Sequence, residues 1–234
     1  MSTFDLIIGN GEIGSALYEV LKPSFHIKIA DRNTPITHKA RVLYICYPYS
    51  KDFVKYTKDY IKGYNPELVV VLSTLPVGTC ESINPSIIHS PVEGKHPELA
   101  SSILSSPRWI GSSDKESLDK IEEIWDTLFV IRRVRSSRFT EFLKLRSTSK
   151  YGINIVWTEY EKSVADEIGM DFNLIKDFDN DYNNLYRELG MGEYQRYILN
   201  PPNGKIGGHC VVPNAEILDK QFPNNLLKMI VKMR

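Results

Sequence analysis

Short apolar runs alternate with amphipathic stretches through the first half of the chain, and this alternation predicts strands and helices in turn. Phe4-Asp5-Leu6-Ile7-Ile8 reads as a buried strand. A helix over 15–21 follows, its apolar face drawn from Ile13, Ala16, Leu17, Val20 and Leu21, with Pro23 just past its end. Residues 26–30 return to a strand pattern and close on Asp31. Further strands are predicted over 41–46, 68–73 (Val69-Val70-Val71-Leu72) and 87–91, with a helix over 51–64. The stretch before residue 41 is too short for a full crossover helix, so the sheet is expected to be trimmed there. The last strands fall at 108–111 and 127–134. They flank a helix over 114–128 whose start, Ser112-Ser113-Asp114 with Glu116 nearby, has the composition of a cap.

From about residue 138 the pattern changes. One long helix is predicted over 138–168, with Phe142, Leu145, Ile153, Ile155, Val156, Val164 and Ile168 among its apolar positions and Gly169 as its stop. Residues 171–189 predict one or two further helices, 200–204 a loop, and 217–234 a weakly helical tail. No internal repeat or low-complexity segment interrupts this order.

Composition narrows the classes. The chain has 234 residues, 42% of them apolar, enough for one large domain or two small ones. Lys plus Arg equals Asp plus Glu at 29 each, so nothing in the charge balance points to nucleic acid or an anionic membrane as partner. Cys46, Cys80 and Cys210 form neither a disulfide framework nor a zinc spacing, and they fit a reducing compartment. No signal segment precedes the first strand and no run is apolar enough to span a bilayer. The expected setting is the cytosol, and the expected partner a small molecule.

The chemistry sits in a few short motifs. Gly9-Asn10-Gly11-Glu12-Ile13-Gly14 follows a strand and opens a helix. In that context the first glycine makes the turn, the second admits a pyrophosphate and the third packs helix on strand. Asp31, about 20 residues on, is either a solvated strand-end aspartate or the acid that binds the adenosine ribose, where its charge repels a 2′-phosphate and favours NAD over NADP. Arg32 beside it works the other way, since an arginine accepts that phosphate. Tyr47 and Pro48 after the third strand, and Ser73 and Thr74 after the fourth, complete the candidate cofactor set, because open α/β sheets bind ligands outside the carboxyl ends of their strands. Thr74 in Ser73-Thr74-Leu75-Pro76-Val77-Gly78-Thr79 is either a group that orients water or substrate, or ordinary turn chemistry. Glu93 in Ser90-Pro91-Val92-Glu93-Gly94 is either a base or a solvated loop carboxylate. Lys144, one turn after Glu141, is either an oxyanion partner or half of a surface pair. Gly207-Gly208-His209-Cys210 places a thiol after a flexible turn, where it is either a nucleophile or a simple packed cysteine; His209 either raises its thiolate fraction or packs.

These pieces in this order predict an α/β protein: a Rossmann-type doubly wound sheet over 1–135, a helical domain with one long helix over 136–215 carrying Lys144 and the Gly-Gly-His-Cys loop, and a short tail over 216–234. They resemble the UDP-glucose/GDP-mannose dehydrogenase family. The resemblance rests on the glycine turn, Ser73 to Thr79, Ser90-Pro91 with Glu93-Gly94, Glu141-Phe142-Leu143-Lys144-Leu145, Asn154-Ile155 with Glu159, Glu167-Ile168-Gly169-Met170-Asp171, and Gly204 to Cys210. The pairing of Glu-Phe-Leu-Lys-Leu with Gly-Gly-His-Cys is its most specific part.

The resemblance implies oxidation of a nucleotide-sugar alcohol to an acid with two NAD. Cys210 would be the nucleophile, Lys144 the oxyanion partner, Thr74 and Glu93 water-positioning groups, and the long helix a homodimer element. Two positions depart from the family pattern: Thr148 stands for its asparagine and Asn214 for its aspartate. An amide at 214 is no base at neutral pH. The sequence also stops soon after the cysteine, before the family's nucleotide-gripping domain. The expectation is therefore an NAD-dependent oxidoreductase acting on a sugar or smaller hydroxy substrate. Two alternatives stay open: a non-catalytic dinucleotide binder, and a simple β-hydroxyacid-type dehydrogenase using Lys144 with Cys210 idle.

Overall fold

The computed structural model describes residues 4–31, 39–94 and 97–234. The chain forms two compact units, Met1–Lys144 and Leu145–Arg234. In order, the elements are β1 (Phe4–Ile8), α1 (Glu12–Leu21), β2 (Ile27–Ala30), β3 (Ala40–Ile45), α2 (Phe53–Tyr64), β4 (Leu68–Val71), α3 (Thr79–Ile83), β5 (Ile88–His89), α4 (Leu99–Ser105), β6 (Arg108–Gly111), α5 (Lys115–Trp125), β7 (Ile131–Val134), α6 (Ser137–Glu167), α7 (Asn173–Glu188), a 3-10 turn (Gly192–Tyr194), α8 (Val211–Gln221) and α9 (Asn225–Lys232).

Among the described residues, the first unit is built on a seven-stranded sheet in the order β2-β1-β3-β4-β5-β6-β7. All neighbours are parallel except β5 and β6. Successive strand residues face opposite sides, and both sides are covered. Ile7, Val42, Tyr44 and Val70 pack with Leu17 and Leu21 of α1, Ile103 of α4 and Leu118, Ile121 and Trp125 of α5. Their neighbours Leu6, Ile8, Leu43, Ile45, Val69 and Val71 pack with Phe53 and Tyr64 of α2 and Cys80 of α3. This two-sided burial is why the strands read as unbroken apolar runs. Asp5, in the middle of β1, is one polar exception: it is buried and accepts 2.9 and 2.8 Å hydrogen bonds from the Arg41 guanidinium on β3.

Asp114 caps α5 as its sequence predicts, its carboxylate accepting from the Ser117 amide at 3.0 Å. The long helix ends as expected: Gly169 is left-handed at φ 70°, and the Met170 amide reaches back to the Ala165 carbonyl at 2.8 Å. Three helices were not legible: α3, five residues that continue the 73–79 turn, α4, and the first part of α8. The α4 segment has its apolar residues Leu99, Ala100, Ile103 and Leu104 at helical spacing, but at seven residues it is too short a run to stand out among its serines. The start of α8 hides behind Val211-Val212-Pro213, which reads as a breaker; yet proline in a first turn loses no intrahelical hydrogen bond, because those amides have no partner there. The expected strand over 127–134 is confined to Ile131–Val134, its first part being the turn after α5.

In the second unit, α8 and α9 pack together. Gly152 of α6 lets them approach: a Cβ there would stand 2.7 Å from Val211 and 2.9 Å from Ile230. The Ile206 amide donates to the Met233 carbonyl at 2.7 Å and ties the loop before Cys210 to the end of the chain.

Candidate functional site

The strand order reverses between β1 and β3, and the glycine turn lies at their carboxyl ends, where open α/β sheets have their ligand crevice. Gly9 has φ 106°, and a Cβ on it would lie 2.9 Å from the Tyr47 amide nitrogen. A Cβ on Gly14 would lie 1.8 Å from the Gly9 carbonyl oxygen, so the third glycine is fixed by contact of helix and turn. Gly11, the N-cap of α1, has nothing within 4 Å of a notional Cβ, and no side chain caps the amides that follow it. The Ser15 hydroxyl donates to Asn10 Oδ1 at 3.1 Å, Glu12 is exposed in the first turn, and Ile13 packs on the core. Asp31 is exposed one residue past β2, whose last carbonyl accepts the Gly9 amide at 2.9 Å. Arg32 lies outside the described residues. A tight turn, an open second glycine and an uncapped helix start fit a dinucleotide pyrophosphate.

The other cofactor candidates divide. The Tyr47 ring is buried against Phe53, 5.0 Å between centroids, and its hydroxyl pairs with Thr57 Oγ1 at 2.6 Å; what it offers the crevice is backbone. Pro48 is exposed. The Ser73 hydroxyl is buried and donates to the Tyr47 carbonyl at 2.6 Å, bracing the ends of β3 and β4. Thr74 is half-buried beside it.

The turn that carries Thr74 is gripped by the first turn of α6. Glu141 is fully buried, and its carboxylate accepts the Cys80 amide at 2.8 Å and the Gly78 amide at 2.5 Å. This overturns the surface-pair reading of Glu141 with Lys144. Burial raises the Glu141 carboxyl above its ordinary range, against the two amides that hold it charged. At the other end of the turn, His89 bridges the Ser73 carbonyl at 3.1 Å and Thr140 Oγ1 at 2.9 Å. Burial lowers the His89 imidazole to about 4, with the Lys144 and Arg108 charges acting in the same sense.

Lys144 lies one turn further along. Its ammonium donates to the Val92 carbonyl and stands 3.9 Å from a Glu93 carboxylate oxygen. Glu93 is exposed, and its loop is held from below by Arg108 of β6. That guanidinium is buried and donates to the Pro91 carbonyl at 2.7 Å and the Ser90 hydroxyl at 3.1 Å. Burial lowers it to about 10. Nothing local in the sequence marked Arg108 or His89, since each sits on a strand whose burial is decided by distant elements.

In the second unit Cys210 is exposed at the N-cap of α8, after Gly208 at φ 83°. His209 is exposed beside it. Cys46 and Cys80 are buried, and desolvation pushes both thiols up, out of the reactive range. Asn214, one turn after Cys210, is buried; its amide N–H donates to the Cys210 carbonyl at 3.1 Å and its Nδ2 to Thr148 Oγ1 at 3.1 Å. The two residues that depart from the family pattern are thus hydrogen-bonded to each other, as a neutral pair. Thr74, Glu93 and Lys144 belong to the first unit, and Cys210, Asn214 and Thr148 to the second.

Neither a protein-family model nor a curated protein sequence matches the chain. Its likeness is to solved structures, and it is one of fold: the chain has the architecture shared by nucleotide-sugar and hydroxyacid dehydrogenases. A UDP-D-ManNAc dehydrogenase from Pyrococcus horikoshii superposes with a TM-score of 0.75 at 17% identity, over 98% of this chain and 68% of that one. The UDP-N-acetyl-mannosamine dehydrogenase of Staphylococcus aureus gives 0.73 at 15% identity, over 97% and 66%. The 3-hydroxyisobutyrate dehydrogenase of Mycobacterium tuberculosis gives 0.71 at 12% identity, over 98% and 91%. The chain spans about two thirds of the length of the two nucleotide-sugar enzymes. No helix among the described residues is long and apolar enough to cross a membrane.

Proposed function

We propose that this chain is an NAD-dependent oxidoreductase of the nucleotide-sugar dehydrogenase type, acting on the hydroxyl of a small or sugar substrate. One observation carries the reading: Gly9, Gly11 and Gly14 have the three separate geometries that a dinucleotide turn requires. Gly9, Gly11, Asn10 and the first amides of α1 would hold the pyrophosphate, with Asp31 on the adenosine ribose. Bound there, the dinucleotide supplies a hydride acceptor. A carboxylate at Asp31 favours NAD over NADP, through its hydrogen bonds to a ribose diol and its repulsion of a 2′-phosphate.

The chain's own groups supply the rest. Lys144, held between the Val92 carbonyl and Glu93, stabilises oxyanion character on the reacting oxygen. Thr74 and Glu93 orient water and substrate. Cys210 adds to an aldehyde carbonyl as thiolate; the hemithioacetal loses a hydride to become a thioester, and water releases the acid and the thiol. The neutral Thr148–Asn214 pair acts as a brace for the start of α8 and not as a base.

A second reading has its own support. The hydroxyacid dehydrogenase above is matched over 91% of its length, and that reading needs Lys144 but no thiol. The two readings part on alkylation: iodoacetamide abolishes turnover if Cys210 is the nucleophile and leaves it intact otherwise. The direct test is NADH formation from nucleotide sugars, simple hydroxyacids and their aldehydes. Two NADH per substrate, reduced to none by Cys210→Ala, supports the cysteine route; dinucleotide binding without turnover on any of them points to a non-catalytic binder.

Self-association belongs to the same proposal. Trp157 and Tyr160 of α6 and Leu226 and Met229 of α9 are exposed along an apolar groove of about 290 Å³. The reading seats a second copy there, and Trp157→Glu converts a dimer to a monomer in light scattering if that is so.

A further inference from the structure

The segment from Ser73 to Cys80 is held at both ends by two consecutive residues of α6. Glu141 takes the Gly78 and Cys80 amides directly. Thr140 reaches the other end through His89, whose ring spans from the threonine hydroxyl at 2.9 Å to the Ser73 carbonyl at 3.1 Å. Lys144 follows one helical turn later on the same element. A carbonyl only accepts, so the bond to Ser73 requires the proton on Nε2, and Nδ1 then accepts from the Thr140 hydroxyl. The Thr140 hydroxyl has one proton and a second acceptor in reach, the Ser137 carbonyl at 2.9 Å; with Nε2 protonated the proton goes to Nδ1, and the carbonyl keeps the amide of its own helical turn. Two cations, Lys144 and Arg108, face His89 and favour its neutral form. Ser73, His89 and Thr140 are all buried, so no water competes for these bonds.

We propose that His89, with Thr140, is a positioning pair: it fixes the Ser73–Thr74 backbone in register with Lys144, and so sets how the group that polarises the reacting oxygen meets the turn at the end of β4. His89 is fully buried, so it acts through Ser73 and not on a bound molecule. The inference rests on the oxidoreductase reading. It differs from a plain packing role in one respect: the hydrogen bond to the Ser73 carbonyl matters, not the volume of the ring.

That difference sets the test. Glutamine places an N–H donor where Nε2 stands, asparagine places an amide nearer Nδ1, and leucine fills the space without hydrogen bonds. With the full chain, NAD and its best substrate, kcat falls on the order of 100-fold in His89→Leu, as expected when reacting groups lose their register. KM for NAD changes far less than kcat, because the pyrophosphate turn from Gly9 to Gly14 is untouched. His89→Gln recovers most of kcat, and His89→Asn does not. Thr140→Val falls in the same direction, and adding it to His89→Leu costs little more.

Equal kcat in leucine and glutamine variants, at whatever stability, overturns the proposal. If the wild-type chain binds NAD and turns over nothing, the oxidoreductase reading fails by itself; the register is then read from nitrogen-15 histidine spectra and the Thr74 amide shift. A single Nε2–H tautomer, with a Thr74 shift that moves in His89→Leu and returns in His89→Gln, upholds the coupling; a tautomer mixture or an unmoved Thr74 removes it.

Discussion

Two glycines of one motif are expected to fail in different ways when each gains a methyl group. In Gly14→Ala the new Cβ stands 1.8 Å from the Gly9 carbonyl oxygen, a backbone atom that cannot rotate away. Either α1 lifts from the sheet or the turn opens, and overpacking of this kind costs about 3 kcal/mol. For a chain of this length that is roughly 6–12 °C in melting temperature. In Gly11→Ala the Cβ meets nothing within 4 Å, and φ is −87°, an ordinary value for alanine. Only the modest N-cap preference is lost, within about 1 kcal/mol. That methyl group projects into the space assigned to the pyrophosphate, so NAD affinity falls by on the order of 10–100-fold, about 1.4–2.8 kcal/mol. Thermal melts with and without NAD, and calorimetric titration of each variant, read both effects. Equal destabilisation by the two variants, or an unchanged NAD affinity in Gly11→Ala, would refute the reasoning.

Further outcomes follow from other parts of the molecule. Native protein treated with iodoacetamide should take up one label, at Cys210, with Cys46 and Cys80 reacting only after denaturation; mass spectrometry of the digests locates it. Stability should fall as the pH drops from about 6.5 to about 4, by on the order of 3 kcal/mol, because the unfolded His89 imidazole takes up a proton that the folded one does not. The folded state has the lower affinity for that proton, so the contribution is complete above the unfolded value and lost below it; urea melts across this window should show the slope, and His89→Leu should flatten it. Removing Arg41 leaves the Asp5 carboxylate buried without its partner, and Arg41→Leu should cost about 3 kcal/mol, read as a lower urea midpoint at constant m-value.

What could be read from the sequence was what is decided locally. The glycine turn, the apolar strands β1, β3 and β4, the Asp114 cap and the Gly169 stop each follow from residues a few positions apart. So does the exposure of Cys210, since two glycines and a histidine give nothing to bury it. What could not be read depends on which surfaces meet. Glu141 and Lys144 stand at a spacing that looks like a solvated pair, yet one packs inward against the 73–80 turn and the other reaches the 90–94 loop. Arg108 looks like an edge residue in Arg-Trp-Ile-Gly but is buried under that loop as its clamp. Thr148 and Asn214, 66 positions apart, look like two independent departures from a family pattern and are one hydrogen-bonded unit. The α8 helix begins in a Val-Val-Pro run whose local preferences argue against it, and packing on α9 decides otherwise.

The claim on which the rest depends is that the β1–α1 turn holds a nicotinamide dinucleotide through its pyrophosphate, with Asp31 choosing the ribose. Calorimetric titration of the wild-type chain with NAD and with NADP tests it directly. One site per chain is expected, with NAD bound at least about 10-fold more tightly than NADP, a difference of about 1.4 kcal/mol. Absence of binding by both dinucleotides, or binding that survives intact in Gly11→Ala, would contradict it.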